Sequence, residues 1–176
     1  MIWDELPGDL TEAHHFALEE LINEIAAECE GAEPPVIAEV GRHNSQVTVA
    51  VAQICSEVEK ATRPSFLSFN ETFDHRMAET LRDQGLDEYV RFFNHDVSDA
   101  ADDVEDNSFH LVIINAKTAA QVERLLWDWT QKVVVGGRVV GIYDDYSVLA
   151  VKKVTKGDYT RIGDNGCLWL ISAFTR

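Results

Sequence analysis

Residues 159–174 of the sequence read YTRIGDNGCLWLISAF. In this stretch Asn165-Gly166 separates two runs of extended, apolar character, and an Asn-Gly pair in that position is a strong signal for a tight hairpin. The stretch therefore predicts a pair of antiparallel strands. A hairpin alone does not define a domain, so the fold class must be predicted from the elements that precede it.

The elements before the hairpin alternate between short apolar runs and helical patterns. The runs start roughly 20 to 30 residues apart and are apolar at successive positions, as expected of parallel strands buried on both faces. They are residues 36–40, 66–69, 90–93, 111–114 and 139–143. Between them, apolar residues recur at helical spacing: Val47, Val51, Ile54 and Val58, then Phe73, Met77 and Leu81, then Val122, Leu125, Leu126, Trp129 and Val133.

This alternation predicts a three-layer, doubly wound α/β sheet. Because the hairpin follows five alternating units, we expect the strand order 3-2-1-4-5-7-6, with the last strand antiparallel and inserted between strand five and its hairpin partner. A nicotinamide-dependent oxidoreductase fits poorly, since the sequence lacks GxGxxG and such enzymes repeat the parallel crossover in their second half.

The first part of the chain predicts one amphipathic helix. Leu18, Leu21, Ile22 and Ile25 fall on one helical face, and Gly31 follows as a stop signal. We therefore divide a single domain, residues 1–176, into a helical preface of residues 1–33 and an α/β core of residues 34–176. The pair His14-His15 is expected to lie in a solvated first turn.

Composition excludes several classes of function. The chain has 176 residues, with 31 Asp and Glu against 15 Lys and Arg, and its formal charge of -16 repels nucleic acids and anionic membranes. The three cysteines, Cys29, Cys55 and Cys167, have no metal-ligand or disulfide spacing. Residues 1–10 contain neither a basic region nor an apolar run. We expect an acidic, cytoplasmic protein with no metal site and no targeting segment.

Two segments resemble motifs of the class I S-adenosylmethionine-dependent methyltransferases. The first is Val36-Ile-Ala-Glu39-Val-Gly41, similar to the first motif of that family. The second covers residues 134–146 and includes Gly136-Gly137, expected to form a turn, a strand, and the acidic turn Asp144-Asp145-Tyr146. The resemblance implies a Rossmann-like methyltransferase fold, S-adenosylmethionine as cofactor and methyl transfer as the reaction.

The resemblance also implies a cofactor site at the carboxyl ends of strands one to four. Glu39 and Gly41 match the first motif, and the glycine allows close approach of the backbone to the ligand. Asp96, after strand three, would accept a hydrogen bond from the adenine amine. Family members place an acidic residue at the end of strand two to hold the ribose hydroxyls. Here two candidates are left open for that role, Asn70 and Glu71.

The reacting end of the site departs from the family pattern. Asn115 stands after strand four, where an Asp near the methyl donor is common. Asp144, Asp145, Tyr146 and His43 are the candidates to face the methyl acceptor, although Asp144 and Asp145 could also cap the helix that follows them.

Two function classes follow from these residues. The first is a methyltransferase with an unidentified, small-molecule acceptor, and the second is a catalytically inactive methyltransferase-like protein that serves binding or assembly. We expect no nucleic-acid or membrane partner, and a homo-oligomer whose second subunit completes the pocket is left open. Gly41→Leu is expected to abolish cofactor binding and to leave the fold intact.

Overall fold

The central element of the protein is a seven-stranded sheet with the order β3-β2-β1-β4-β5-β7-β6. A computed structural model describes residues 6, 8, 10–41 and 45–172. The strands are β1 (Val36–Val40), β2 (Ser65–Asn70), β3 (Arg91–Asn94), β4 (Phe109–Ile114), β5 (Val133–Ile142), β6 (Thr160–Ile162) and β7 (Leu168–Ser172). The helices are α1 (Glu12–Glu28), α2 (Ser45–Glu57), α3 (His75–Asp83), α4 (Val97–Asp103), α5 (Ala119–Trp129) and α6 (Asp145–Thr155).

The strand pairing confirms the predicted topology. β1 runs parallel to β2 on one side and to β4 on the other, whereas β7 is antiparallel to both β5 and β6. At the turn between β6 and β7, Asn165 and Gly166 have φ angles of 58° and 61°. The connection covers residues 163–167 and includes a 3-10 turn, and Asn and Gly are the residues that adopt such left-handed conformations most readily. The fold is the three-layer, doubly wound type with a C-terminal antiparallel hairpin.

Alternate residues of the sheet face two separate cores. Ile37 packs in the core formed with α1, α2 and α3, whereas its neighbour Ala38 packs in the core formed with α4, α5 and α6. In the second core the indole of Trp129 is fully buried and donates to the carbonyl of Val97 at 3.2 Å, which joins α5 to α4. None of the helices in the described part of the chain combines the length and apolarity needed to cross a membrane.

The predicted N-terminal helix is present, but the expectation of a solvated His14-His15 pair is wrong. Both side chains are buried, with 8% of their surface exposed. The segment before α1 folds back onto α2, since the amide of Leu10 donates to the side chain of Gln46 at 2.8 Å. His14 Nδ1 accepts from the amide of Thr11 at 3.0 Å and so caps the helix. Burial lowers the pKa of both histidines.

The prediction that Gly136-Gly137 forms a turn before strand five is also wrong, because both residues lie inside β5. The ladder with β4 shifts its register there, from Phe109 opposite Val133 to Leu111 opposite Arg138. The extra residues of β5 form a bulge, and Gly136 adopts a φ of 84° within it. A bulge needs the same glycines as a turn, so the sequence signal did not separate the two.

Candidate functional site

The carboxyl ends of β1, β2, β3 and β4 meet at one edge of the sheet, where the chain order reverses between β1 and β4. Ligands of open α/β sheets bind in the crevice outside such a reversal. Most of the residues predicted to bind a cofactor stand at this edge. The structure separates them into a buried polar network and two cavities.

Glu39 is the centre of the buried network. Its side chain is completely buried, and its Oε2 accepts hydrogen bonds from the hydroxyls of Thr48 at 2.7 Å and Ser68 at 2.8 Å. Its Oε1 accepts from the amide of Asn115 at 2.8 Å. Burial raises the pKa of Glu39, although these three donors oppose the shift. Glu39 therefore connects β1 to α2, β2 and the end of β4.

Asn70 extends the same network. Its Nδ2 donates to the hydroxyl of Ser68 at 2.7 Å, and Ser68 in turn donates to Glu39. An aspartate at this position could not donate to Ser68. The amide of Asn70 is thus used within the protein at the position where the family resemblance implied a ribose-binding carboxylate.

A small polar cavity of about 30 Å³ lies beside this network, towards α2 and α3. Asn70 and Asn115 line it together with Asp74, Ser45 and Thr48. Burial by itself would raise the pKa of Asp74, but hydrogen bonds from the Ser45 hydroxyl, at 2.5 Å, and from two backbone amides of α3 outweigh it and lower the pKa. This carboxylate accordingly caps α3 in its ionised form.

A second cavity, of about 50 Å³, lies on the other side of the β1 end, towards α4 and α5. It is lined by Gly41, Glu71 and Asp96, which follow β1, β2 and β3 respectively. Asp96 Oδ1 accepts from the backbone amides of Ser98 at 2.9 Å and Asp99 at 3.4 Å, which lowers the pKa of the carboxyl group. Two carboxylates therefore converge on one cavity.

Gly41 closes one wall of this second cavity. It has a φ of 116°, and a Cβ built on it would overlap the carbonyl oxygen of Asn115 and lie 3.1 Å from the side chain of Leu125. This close approach argues against the expectation that Gly41→Leu leaves the fold intact, since any side chain here meets the backbone of Asn115 before it reaches a ligand. The glycine is required by the approach of β1 to the end of β4.

Of the predicted acceptor-facing residues, Asp144, Asp145 and Tyr146 line neither cavity. Asp144 is the N-cap of α6, and its Oδ1 accepts from the amides of Tyr146 at 2.9 Å and Ser147 at 2.6 Å. The capping interpretation of Asp144 is thereby confirmed. Asp145 and Tyr146 are exposed at the start of α6. His43 lies outside the described residues.

Sequence reasoning missed three residues of the second cavity. Ser98, Gln121 and Arg124 line it from α4 and α5, and the Arg124 guanidinium lies 3.9 Å from Asp96 Oδ1. No local pattern marks these residues, because each reaches the cavity through the packing of its helix on the sheet. The hydroxyls of Thr48 and Ser68 were missed for the same reason.

Comparisons with known proteins agree with the fold described above. A family model described as a methyltransferase domain matches residues 38–146, which is more than half of the chain. The chain belongs to this family, and its fold is that of the class I, S-adenosylmethionine-dependent methyltransferases. Comparison of the sequence with curated proteins finds no match.

Solved structures share the fold at low sequence identity. The tRNA (m1A58) methyltransferase from Aquifex aeolicus is 13% identical, with a TM-score of 0.70 over 97% of this chain and 72% of that chain. A putative O-methyltransferase from Klebsiella pneumoniae is 14% identical, with a TM-score of 0.67 over 97% and 84%. The cofactor-bound Rv0187 from MTB is 16% identical, with a TM-score of 0.65 over 98% and 85%.

Proposed function

We infer that the protein transfers a methyl group from S-adenosylmethionine to a small-molecule acceptor. The observation that carries this proposal is the cavity in which Gly41, Glu71 and Asp96 meet at the carboxyl edge of the sheet. It stands at the crevice where open α/β sheets bind ligands, within a chain whose family is that of methyltransferases.

The two carboxylates that line this cavity match the hydrogen-bond donors of an adenosyl group. Glu71 offers a carboxylate that can accept from both ribose hydroxyls, and charge-assisted bonds of this type are the stronger class. Asp96 offers a second carboxylate for the adenine amine, at the N-terminus of α4. Of the two ribose candidates, Glu71 is favoured, because Asn70 lines the other cavity and uses its amide on Ser68.

The protein's own residues would then position the cofactor and the acceptor and shield them from water. When bound, S-adenosylmethionine would supply an electrophilic methyl group, carried on a cationic sulfur that is also its leaving group. Glu71 and Asp96 would hold the adenosyl portion, and the Glu39–Asn115 hydrogen bond would fix the strand ends beneath it. The proton lost by the acceptor would pass to a base among the predicted acceptor-facing residues, of which Asp145 is a carboxylate exposed at the start of α6.

A small-molecule acceptor is favoured over a nucleic acid by charge. The formal charge of -16 opposes approach of a phosphate backbone, and nucleic-acid-binding proteins depend on lysine and arginine contacts to phosphates. The resemblance to a tRNA methyltransferase in fold therefore does not extend to the proposed acceptor.

The experiment that tests the cavity compares Glu71→Gln with Glu79→Gln. Glu79 is an exposed residue of α3 away from the cavity and serves as the matched control. Loss of a carboxylate that accepts two hydroxyl bonds should weaken S-adenosylmethionine binding by about 10- to 100-fold, because neutral bonds are worth about half as much as charge-assisted ones. Equal affinity in both variants would exclude Glu71 from the site. Normal binding without methyl transfer to any of a broad set of small acceptors would favour the inactive, binding or assembly protein.

A further inference from the structure

An apolar groove, lined by none of the residues of the cavities above, lies on one face of the sheet. Its volume is about 530 Å³, within the range of pockets that hold small molecules. It runs along the sheet face that α4 and α5 cover, from His95 after β3 to Val36 and Phe109 at the amino ends of β1 and β4. The groove thus reaches the carboxyl edge at His95, but none of its lining residues lines the cavity of Gly41, Glu71 and Asp96.

The groove exists because α4 is short. This helix has 7 residues, Val97–Asp103, and is the connection between the edge strand β3 and the central strand β4. It leaves the outer part of the sheet uncovered, so that Phe93 is 38% exposed although its partner in register, Phe69, is buried. On the opposite face Phe92 packs against the core covered by α2 and α3. The exposed apolar surface is therefore confined to one face of β3.

The groove is lined by aromatic rings. The rings of Phe69 and Phe93 are stacked, with centroids 4.8 Å apart and an interplanar angle of 15°, so the face of Phe93 that points towards Phe69 is covered. Phe109 adds an edge-to-face contact to Phe69, with centroids 6.1 Å apart. The exposed part of Phe93 is therefore the ring surface on which a planar guest can stack, and an aromatic face attracts a cation through its quadrupole.

The rim of the groove is acidic. Asp103 lines it directly, and Asp102 and Glu105 are exposed on either side of the adjoining Asp103-Val104 pair. Asp106 is partly neutralised, since it pairs with the ammonium of Lys132 at 3.1 Å. Arg91 lies on the same face of β3 but does not line the groove. Together with the charge of -16 on the whole chain, this rim favours a cationic ligand and opposes an anionic one.

We propose that this groove is a second ligand site, which binds planar aromatic cations of two or three fused rings. The ring system stacks on the exposed ring of Phe93, and the positive charge lies near the carboxylate of Asp103. This proposal does not depend on methyl transfer, because none of the residues that carry it lines the cavity with Gly41, Glu71 and Asp96.

The test uses two fluorescent probes of three fused rings that differ in charge. 9-Aminoacridine, a cation at neutral pH, should bind at least tenfold more tightly than anthracene-9-carboxylate in fluorescence-polarisation titrations of the full chain. Asp103→Asn should reduce that difference severalfold, whereas Asp83→Asn, a matched change in an exposed residue of α3, should not. Equal affinity for both probes, or no binding of the cation, would overturn the proposal.

Variants of Phe93 locate the probe. Phe93→Ser should weaken binding of 9-aminoacridine at least fivefold. Phe93→Tyr, which keeps the aromatic ring, should bind the probe as tightly as the wild type. Phe73→Ser is the control, since Phe73 is similarly exposed, at 42%, but lies just before α3. If Glu71→Gln weakens probe binding and Phe93→Ser does not, the cation occupies the cofactor cavity and the second site does not exist. Thermal unfolding of each variant shows whether a loss of binding reflects a loss of structure.

Discussion

The side-chain amide of Asn115 donates a 2.8 Å hydrogen bond to the carboxylate of Glu39 across the reversal of the sheet. Asn115 follows β4 and Glu39 is the penultimate residue of β1, so this bond joins the two strands that diverge around the proposed cofactor crevice. The backbone amide of Asn115 also donates to the carbonyl of Val40, at 2.9 Å. Asn115 is thus a structural part of the crevice, whatever it contributes to the ligand.

Asn115→Ala should destabilise the protein by about 1–3 kcal/mol, because a completely buried carboxylate loses one of its donors. The loss should be larger at pH 8 than at pH 5. Since the pKa of Glu39 is raised in the folded protein, its contribution to stability is fully present below about pH 4.5 and decreases as the pH rises through the folded pKa. Loss of a donor raises that pKa further.

Urea denaturation at the two pH values measures this effect, with Asn94→Ala as control. Asn94 is an exposed residue at the end of β3. A pH-independent loss in Asn115→Ala would show that the ionised form of Glu39 does not depend on this donor.

Asn70→Asp should also destabilise the protein, in spite of the family preference for an acid at this position. The Asn70 amide donates to Ser68, and an aspartate would place a second carboxylate next to the one at Glu39. We expect a loss of about 1–3 kcal/mol at pH 8 that shrinks as the pH is lowered. Asn94→Asp, at the position paired with Asn70 on β3, should have little effect on the urea midpoint.

A gain of stability in Asn70→Asp would contradict the donor role of Asn70. The same variant separates the two ribose candidates. If Glu71 holds the ribose, Asn70→Asp should leave the affinity for S-adenosylmethionine nearly unchanged in the folded fraction.

Gly41→Ala tests the close approach of β1 to the end of β4. A methyl group at this position overlaps the carbonyl oxygen of Asn115, and the φ of 116° is unfavourable for alanine. Gly85→Ala is the control, because Gly85 also has a positive φ, of 66°, but open space around its Cβ position. We expect about 1–2 kcal/mol of destabilisation from Gly85→Ala and clearly more, about 3 kcal/mol or above, from Gly41→Ala. If thermal unfolding shows the same loss of stability for Gly41→Ala and Gly85→Ala, the ends of β1 and β4 can move apart to accommodate the methyl group.

His110→Asn should reduce the sensitivity of the protein to mild acid. His110 Nδ1 accepts from the amide of Val36 at 3.1 Å, and burial lowers the pKa of the imidazole. A depressed folded pKa means that this contribution is fully present above about pH 6.5 and is lost as the pH falls through the folded pKa. The urea midpoint should therefore fall less between pH 7.5 and pH 5 in His110→Asn than in the wild type.

His14 and His15 have pKa shifts of the same sign, so part of the acid sensitivity should persist in His110→Asn. His95→Asn, a change at an exposed position, is the control and should retain the sensitivity of the wild type. A variant His110→Asn as sensitive as wild type would exclude this histidine as a source of acid instability.

The sequence predicted the sheet order because its signals are local. Continuous apolar runs, helical stripes and the Asn165-Gly166 turn each report on a few neighbouring residues, and a doubly wound sheet follows from their alternation. The burial of His14 was not predictable in this way, since it follows from tertiary packing, in which Leu6 and Leu10 before α1 contact Gln46 of α2.

The sequence predicted the location of the candidate site but not its separation into two cavities. The predicted strand ends located Gly41, Glu71 and Asp96. The sequence did not show that the neighbours Asn70 and Glu71 line different cavities, on opposite sides of the β1 end. Arg124 reaches Asp96 from another helix, and no pattern in the sequence encodes such a distance.

The cavity of Gly41, Glu71 and Asp96 is proposed to belong to a site for S-adenosylmethionine. Calorimetric titration of the purified protein with S-adenosylmethionine and S-adenosylhomocysteine tests it most directly, before any acceptor is known. Both ligands should bind at one site per chain, with competition between them, because they share the adenosyl group that the two carboxylates would hold. Absence of measurable binding by both ligands would contradict the account and leave a methyltransferase fold without its cofactor.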